Sequence, residues 1–201
     1  MGVTTARRRR RSADSLASID AKGVARKPWA FLPGSFAVKA PALDQSPVLS
    51  LQYGATILEL DAEIDARNQL KKVTSRAWNA ADQKVLTAEG SDPNVRLGGN
   101  LTAAQLADVI GLADYVQDHG GKVEETELKA WGDALLIKRQ LAKVRGRVKC
   151  KGIHTVKPGT IIELGGIGDR FNGKVFVSAI QHFIAAGAWT LDILFGLDPE
   201  W

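Results

Sequence analysis

The sequence predicts a mainly β domain of α+β composition, in which an antiparallel barrel-like sheet receives an inserted pair of helices. Apolar and polar residues alternate along 46–65 and 72–79, which is typical of strands with one buried face. A capping box and apolar residues at helical spacing follow within 102–145. Two β-patterned runs, 160–164 and 174–180, then flank a glycine-rich loop.

The first long run separates an apolar face from an acidic one. The residues expected on the apolar face are Leu58, Leu60, Ala62 and Ile64. The acidic stripe consists of Glu59, Asp61, Glu63 and Asp65. Carboxylates bind hard cations, but residues along one face of a strand form a line and do not surround an ion. We therefore interpret the stripe as a solvated or partner-facing side of the sheet.

The strand 72–79 has the same alternation. Val73, Ser75, Ala77 and Asn79 are expected on the face opposite to Thr74, Arg76 and Trp78.

Two helices are predicted between the strand sets, near 102–119 and 125–145. Thr102 and Gln105 have the spacing of a capping box, and Gly120–Gly121 is the expected stop. The apolar stripe of the first helix is Leu106, Val109, Ile110, Ala113 and Val116. The second helix begins beside acidic residues, ends before Gly146, and places Leu128, Trp131, Leu135 and Ala142 on one face. A strand at Val148–Cys150 follows.

The loop between the last two runs contains Gly165 to Gly168 and Gly173. Gly166, Gly168 and Gly173 are expected to provide turn geometry, with at least one at positive φ. A dinucleotide-binding loop would lead into a helix, but a strand follows here and Phe171 occupies the third glycine position. Nucleotide binding is therefore not expected.

Composition divides the chain into a basic leader, 1–35, predicted to be disordered, and a domain, 36–201. The net charge is +5, and without the five arginines Arg7 to Arg11 it falls to 5 − 5 = 0. A neutral body has no strong electrostatic attraction for nucleic acid, although the tail alone offers a contact for DNA, RNA or an acidic surface. No run reaches the ~20 apolar residues of a membrane-spanning helix, and neither a signal peptide nor membrane insertion is expected.

No catalytic, cofactor-binding or metal-binding residues are predicted, and the protein is not expected to be an enzyme. His119, His154 and His182 are scattered without a zinc spacing. Cys150 lies between two lysines that are able to lower a thiol pKa, but a half-buried structural cysteine is the favoured interpretation. The sequence has five tryptophans, a residue type that also stacks on carbohydrate: Trp29, Trp78, Trp131, Trp189 and Trp201. Three of them lie in regular elements, where an aromatic side chain is expected to pack into the core.

Several short motifs together resemble a known family. They are Pro158–Gly159, the loop Gly166-Ile-Gly-Asp-Arg-Phe-Asn-Gly173, the strand Val177 to His182, and Ser75-Arg-Ala-Trp78. This combination is similar to the hub of VgrG-type spike proteins of contractile injection systems, a group that includes type VI secretion VgrG, Rhs element Vgr proteins and phage late control protein D. The resemblance extends from about Phe36 onward and covers the second half of the hub domain only.

The resemblance implies a structural role. Three hub subunits with two related barrels each would form a ring that adapts a sixfold inner tube to a threefold spike. The implied partners are other copies in a homotrimer, the inner tube protein, baseplate proteins and spike or effector modules. The implied location is the cytoplasm until assembly into an injection particle. The alternative is a small β-barrel module that binds an acidic ligand or nucleic acid through its basic tail and a sheet edge.

Overall fold

The computed structural model describes residues 30–32, 35–37, 40–111 and 114–198. Strands β1 (Ala30–Leu32) and β2 (Ser35–Ala37) form an antiparallel pair with Leu32 opposite Ser35. The predicted boundary between leader and domain falls inside this pair. The rest of the predicted disordered leader lies outside the described residues, so the division into leader and domain stays a prediction.

The larger of the two main sheets has six strands and curls into a half-barrel. Its strands are β3 (Ser50–Gln52), β4 (Ile57–Ile64), β8 (Val144–Lys151), β9 (Ile161–Gly165), β10 (Gly173–Ala185) and β11 (Ala188–Phe195). Their order is β3-β9-β10-β11-β8-β4, and all neighbours are antiparallel except the parallel pair β3–β9. The mainly β fold class is therefore confirmed.

One face of this sheet forms the main hydrophobic core. Because side chains alternate along a strand, each strand contributes every second residue to that core. The fully buried members include Val148, Cys150, Leu164, Val177, Leu191 and Ile193. The opposite face of β4, β8 and β11 is mainly polar and charged, and its exposed apolar residues include Leu58 and Leu194.

The smaller sheet has three strands, β5 (Lys72–Asn79), β6 (Lys84–Glu89) and β7 (Asp114–His119), in the order β6-β5-β7. Helix α2 (Glu125–Leu141) packs on β5 and β6 and buries Leu128 and Leu136. The approach is close, since a Cβ on Gly90 would lie 2.8 Å from the backbone of Gly132. Val73, Ser75 and Ala77 face this helix side and are buried, as the alternation predicts.

The first predicted helix is less than half as long as expected. Helix α1 spans Ala103–Ile110, with the predicted capping box at Thr102 and Gln105 confirmed. It ends at Gly111, which adopts φ +77 and donates its N–H to the Ala107 carbonyl. Of the residues predicted beyond Gly111, Asp114–His119 form β7 and pair in parallel with β5, while 112–113 lie outside the described part of the chain. The predicted stripe is therefore wrong at Val116, and within α1 it is buried at Leu106 but exposed at Val109 and Ile110.

The second predicted helix is correct at its start and too long at its end. A capping box at Glu124 and Glu127 begins α2, and the helix stops at Leu141 rather than near residue 145. Strand β8 begins at Val144, because these residues pair with β4 and β11. Leu136 is buried in place of the predicted Trp131, which remains 42% exposed.

The long strand predicted at 46–65 is interrupted. A turn at residues 53–56 separates β3 from β4. An irregularity between Ile57 and Glu59 turns Leu58 outward, so that Ile57 and not Leu58 packs against the core. Asp65 lies beyond the strand and is buried, where the pattern placed it on the wet face.

The glycine-rich hairpin is confirmed. Strands β9 and β10 pair from Gly173 opposite Leu164 to Phe176 opposite Ile161. All three predicted turn glycines have positive φ: +75 at Gly166, +91 at Gly168 and +123 at Gly173. The loop also holds a neighbouring segment, because Gly99 donates its N–H to the Asn172 carbonyl at 3.0 Å.

Candidate assembly surface

Where β10 extends beyond Val177, past its pairing with β9, the six-stranded sheet is only four strands wide and both of its edge strands are unpaired on their outer sides among the described residues. Strand β9 pairs with β10 as far as Phe176, and the last backbone bonds on that side are those of Val177. From Ser178 to Ala185 no other described strand lies along this side of β10. At the other end, β4 is bonded only to β8 among the described strands. We call the strands β10-β11-β8-β4 the four-strand region.

The hairpin formed by β10 and β11 carries no charge for most of its length. The 17 residues from Val175 to Leu191 contain no Asp, Glu, Lys or Arg. Near its tip, apolar side chains are exposed on both faces, Phe183 on one and Ile184 (77% exposed) on the other. Exposed apolar residues at an unpaired edge are typical of sites that pair with another chain.

His182 and Trp189 stabilise the hairpin below its tip. The indole N–H of Trp189 donates to His182 Nδ1 at 3.1 Å, and the ring centroids are 5.7 Å apart. Trp189 also covers Gly152, where a Cβ would lie 2.1 Å from the indole ring. Its contact with Trp189 gives His182 a structural role in the hairpin.

The outer face of the four-strand region is charged, and its charges are paired. Glu59 accepts from Lys149 Nζ at 2.8 Å and from Arg147 at 3.2 Å. Arg147 also donates to Asp192 at 2.7 Å, while Arg145 pairs with Glu63. The acidic stripe therefore faces a partner within the same chain, the basic stripe of β8, which we define as Arg145, Arg147, Lys149 and Lys151.

These contacts change the proton affinities of the groups. The hydrogen bond from Lys149 holds the pKa of Glu59 below its usual value, with Arg147 adding to the effect. The hydrogen bond to Glu63 raises the pKa of Arg145. Both shifts favour the charged forms of Glu59 and Arg145 in their ion pairs.

Asp192 connects the charged stripes to the hairpin. It lies opposite Gln181 on β10 and Lys149 on β8, and only 3% of its surface is exposed. Its Oδ2 accepts from Arg147, whereas Oδ1 has no hydrogen-bond partner among the described residues. Residues that lie opposite each other on neighbouring strands share a face of the sheet. One row across the four strands therefore consists of Gln181, Asp192, Lys149 and Glu59.

The basic stripe was missed in the sequence, although its signal was present. Arg145, Arg147, Lys149 and Lys151 alternate with smaller or apolar residues over seven positions, the spacing of one strand face. The predicted helix ran to residue 145 and the predicted strand began only at Val148, so Arg145 was assigned to the helix and Arg147 to the connection after it.

The other residues singled out from the sequence do not form a reactive centre. Cys150 is fully buried rather than half-buried, and burial raises the pKa of its thiol, with Asp192 contributing. The flanking lysines do not lower it because their side chains lie on the opposite face of β8. The ring of His119 packs edge-on against that of Trp131, with 5.2 Å between the ring centroids. His154 lies in an exposed bend between β8 and β9.

The tryptophan prediction was wrong where the structure tests it. Trp78, Trp131 and Trp189 all lie in regular elements, yet they are 55%, 42% and 41% exposed. Trp78 points from β5 to the side away from α2, opposite Val85 on β6. Trp29 and Trp201 lie outside the described residues.

No metal or acid–base site is evident in the part of the chain that the structure describes. No three His, Cys, Asp or Glu side chains come together there as metal ligands. An open groove of about 430 Å³ lies beside β3, β9 and the glycine loop. Glu163 is its single titratable lining residue, so the groove has no pair of groups for general acid–base chemistry. Neither of the described helices is long and apolar enough to cross a membrane.

Three solved structures are similar to this chain. The prophage MuSo2 43 kDa tail protein from Shewanella oneidensis has a TM-score of 0.52 at 11% identity, over 79% of this chain and 43% of its own. The tail protein from Neisseria meningitidis MC58 has a TM-score of 0.48 at 16% identity, over 78% of this chain and 46% of its own. A chain of the native gene transfer agent virion has a TM-score of 0.45 at 13% identity, over 82% of this chain and 34% of its own. The chain spans less than half the length of each.

The Shewanella comparison shows that the fold is similar to that of a prophage tail protein. The family is given by a second comparison, in which the model described as the Alg8 N-terminal domain matches residues 27–186. The chain therefore belongs to the Alg8 N-terminal domain family. No curated protein sequence matches it.

Proposed function

We propose that this protein is a structural subunit of a phage-tail-like particle whose copies join edge to edge in a ring. The observation that carries the proposal is the four-strand region with its two open sides. An unpaired strand edge is a template for another chain, and continuing a sheet across subunits satisfies both sets of backbone groups. When two different edges pair head to tail, the assembly is a ring if the rotation closes.

Charge supports pairing between different edges. Strand β4 has three acids on its outer face, Glu59, Asp61 and Glu63, so two copies of β4 placed side by side would repel each other. The edge Ser178–Ala185 has no charge and would accept β4 without repulsion. The two edges also match in length, since β4 has 8 residues and 178 to 185 is the same number.

The finer proposal is the trimeric hub of a VgrG-type spike, a non-enzymatic adaptor between tube and spike. It rests on the motifs at 158–182 and at Ser75–Trp78, together with the fold shared with a prophage tail protein. In this proposal the partners are two further copies, an inner tube protein, baseplate proteins and spike or effector modules. The chain reaches its place by assembly from the cytoplasm into the particle.

The competing proposal, a small module that binds nucleic acid or another acidic ligand, has no observation in its favour among the described residues. The basic stripe of β8 is the surface best suited to such a ligand, and it is paired with acids of the same chain.

Cross-linking between engineered cysteines tests the edge contact. Asp61→Cys on β4 and Gln181→Cys on β10 place thiols on the outer face of the two edges, and Cys150→Ala removes the native thiol. With a bis-maleimide linker, we expect the double variant to form covalent trimers, while each single variant stays uncross-linked. A double variant that gives no more product than the single variants would contradict head-to-tail pairing.

A further inference from the structure

The basic stripe of β8 would, by itself, be a surface for polyanions. Its four cations lie on the same face of one strand, and alternate residues of a strand are about 6.8 Å apart. A row of Arg and Lys side chains on an outward face raises the local concentration of phosphate groups and releases counterions from nucleic acid.

Acids of strand β4 lie opposite three of these four cations. The register places Glu63 opposite Arg145, Asp61 opposite Arg147 and Glu59 opposite Lys149. Ion pairs join Glu63 to Arg145, and Glu59 to Lys149 and Arg147.

Asp192 on β11 supplies the fourth acid on this face, at 2.7 Å from Arg147. The four cations and the acids Glu59, Asp61, Glu63 and Asp192 therefore sum to 4 − 4 = 0. Arg145 has two further acid partners, Asp65 at 3.7 Å and Asp198 at 4.0 Å. Glu59 and Glu63 are exposed, and exposed ion pairs contribute little to stability. The main effect of the β4 acids is on the electric field above the sheet.

We infer that β4 masks a latent polyanion-binding surface on β8, so that this face of the sheet does not hold nucleic acid. The inference is independent of ring formation, because the register and the ion pairs lie within one chain. It predicts that removing the β4 acids creates a binding activity that the parent protein lacks.

The test is the binding of a short labelled DNA duplex to Glu59→Gln/Asp61→Asn/Glu63→Gln. Every protein in the series is the full chain and also carries Gln at positions 7 to 11, so that the arginine tail does not contribute. In this variant Arg145 keeps its ion pairs with Asp65 and Asp198 and Arg147 keeps that with Asp192, so Lys149 and Lys151 are the two cations of the stripe without an acid among the described residues. We therefore expect binding whose log–log dependence on salt has a slope of about −1.8. Affinity then falls by about 12-fold between ~50 and ~200 mM salt, whereas the parent shows no measurable binding.

Two further variants locate the effect. Asp44→Asn/Glu125→Gln/Asp169→Asn makes the same change in net charge at exposed acids that form no ion pair with another described residue, and it should not bind DNA. Adding Arg147→Gln and Lys149→Gln to the β4 triple variant should abolish the new binding.

Three results would overturn the inference. They are a folded triple variant that does not bind DNA, binding by the matched control as strong as by the triple variant, and binding that survives the loss of Arg147 and Lys149. A cooperative thermal transition in each variant establishes that the sheet is intact when binding is measured.

Discussion

Lys143 is a buried cation at the junction of α2 and β8. It is 6% exposed, and its Nζ donates to the Leu101 carbonyl at 2.7 Å, just before the capping box of α1. The ion pairs of the described residues do not include it. Burial lowers the pKa of Lys143 below its ordinary value of 10.5. The contact holds the loop before α1 against the main sheet at an electrostatic cost.

This cost gives stability a defined pH dependence. The folded protein releases the Lys143 proton at a lower pH than the unfolded chain, so this group makes folding more favourable as the pH rises through the folded pKa towards 10.5. Lys143→Met removes the effect. We expect the free energy of unfolding of the parent, relative to the variant, to increase over that range by about 1.4 kcal/mol for each unit of pKa shift. Urea titrations of both proteins at several pH values give the comparison, and a constant difference would disprove the assignment.

Cys150 should be unreactive in the folded protein. Its side chain lies in the main core and burial raises the pKa of its thiol, so both access and the thiolate fraction are low. We expect alkylation by iodoacetamide near pH 8 to be about a thousandfold slower than in urea, since reaction then requires opening of the sheet. Mass spectrometry of timed samples measures both rates. Rapid labelling of the native chain would place Cys150 at the surface.

At the scale of elements, the sequence correctly predicted those features that depend on residues close together in the chain. The capping box of α1, the alternation in β5 and the turn glycines of the last hairpin depend on neighbours in sequence, and all are confirmed. Strand β7 depends on a partner strand about 40 residues away, so its residues followed the helical pattern until that pairing was known. Gly111 was the available stop signal, at a position where the apolar spacing continued.

The exposed tryptophans and the charged face show a different limit. Burial of Trp78 depends on which side of the small sheet α2 covers, which the period of a single strand does not specify. The acids Glu59, Asp61 and Glu63 were correctly placed outside the core and Asp65 was not, and the pairing of the stripe with β8 required the strand order β8-β4. The sequence therefore predicts that the acids of β4 lie on the outer face of the sheet, but not that the cations of β8 pair with them.

Gly168 offers a test of the loop between β9 and β10. Its φ is +91, and a Cβ there would meet no atom within 4 Å, so a substitution introduces backbone strain without a clash. Gly168→Val should cost about 1–2 kcal/mol, lowering the melting temperature by roughly 2–8 °C. The matched control is Gly120→Val, at an equally open position without positive φ, and it should melt like the parent. Equal melting temperatures for both variants in calorimetry would rule out the turn assignment.

For the whole molecule, the central claim is that open edges of the four-strand region join copies into a ring. The design that isolates this contact uses charge. Gln181 and Phe183 are exposed on the outer face of β10, the face that on β4 carries Glu59, Asp61 and Glu63. Glutamates at both positions would repel an incoming β4, whereas lysines would attract it, and both changes remove the same Phe183 side chain.

Light scattering during size-exclusion chromatography measures the outcome most directly. At micromolar concentration, and at moderate salt where charges beyond ~10 Å are screened, we expect the parent to be a trimer or a larger species. Gln181→Glu/Phe183→Glu should be a monomer, and Gln181→Lys/Phe183→Lys should assemble like the parent. A parent that remains monomeric at both low and moderate salt, or charge variants that behave alike, would contradict assembly through these edges.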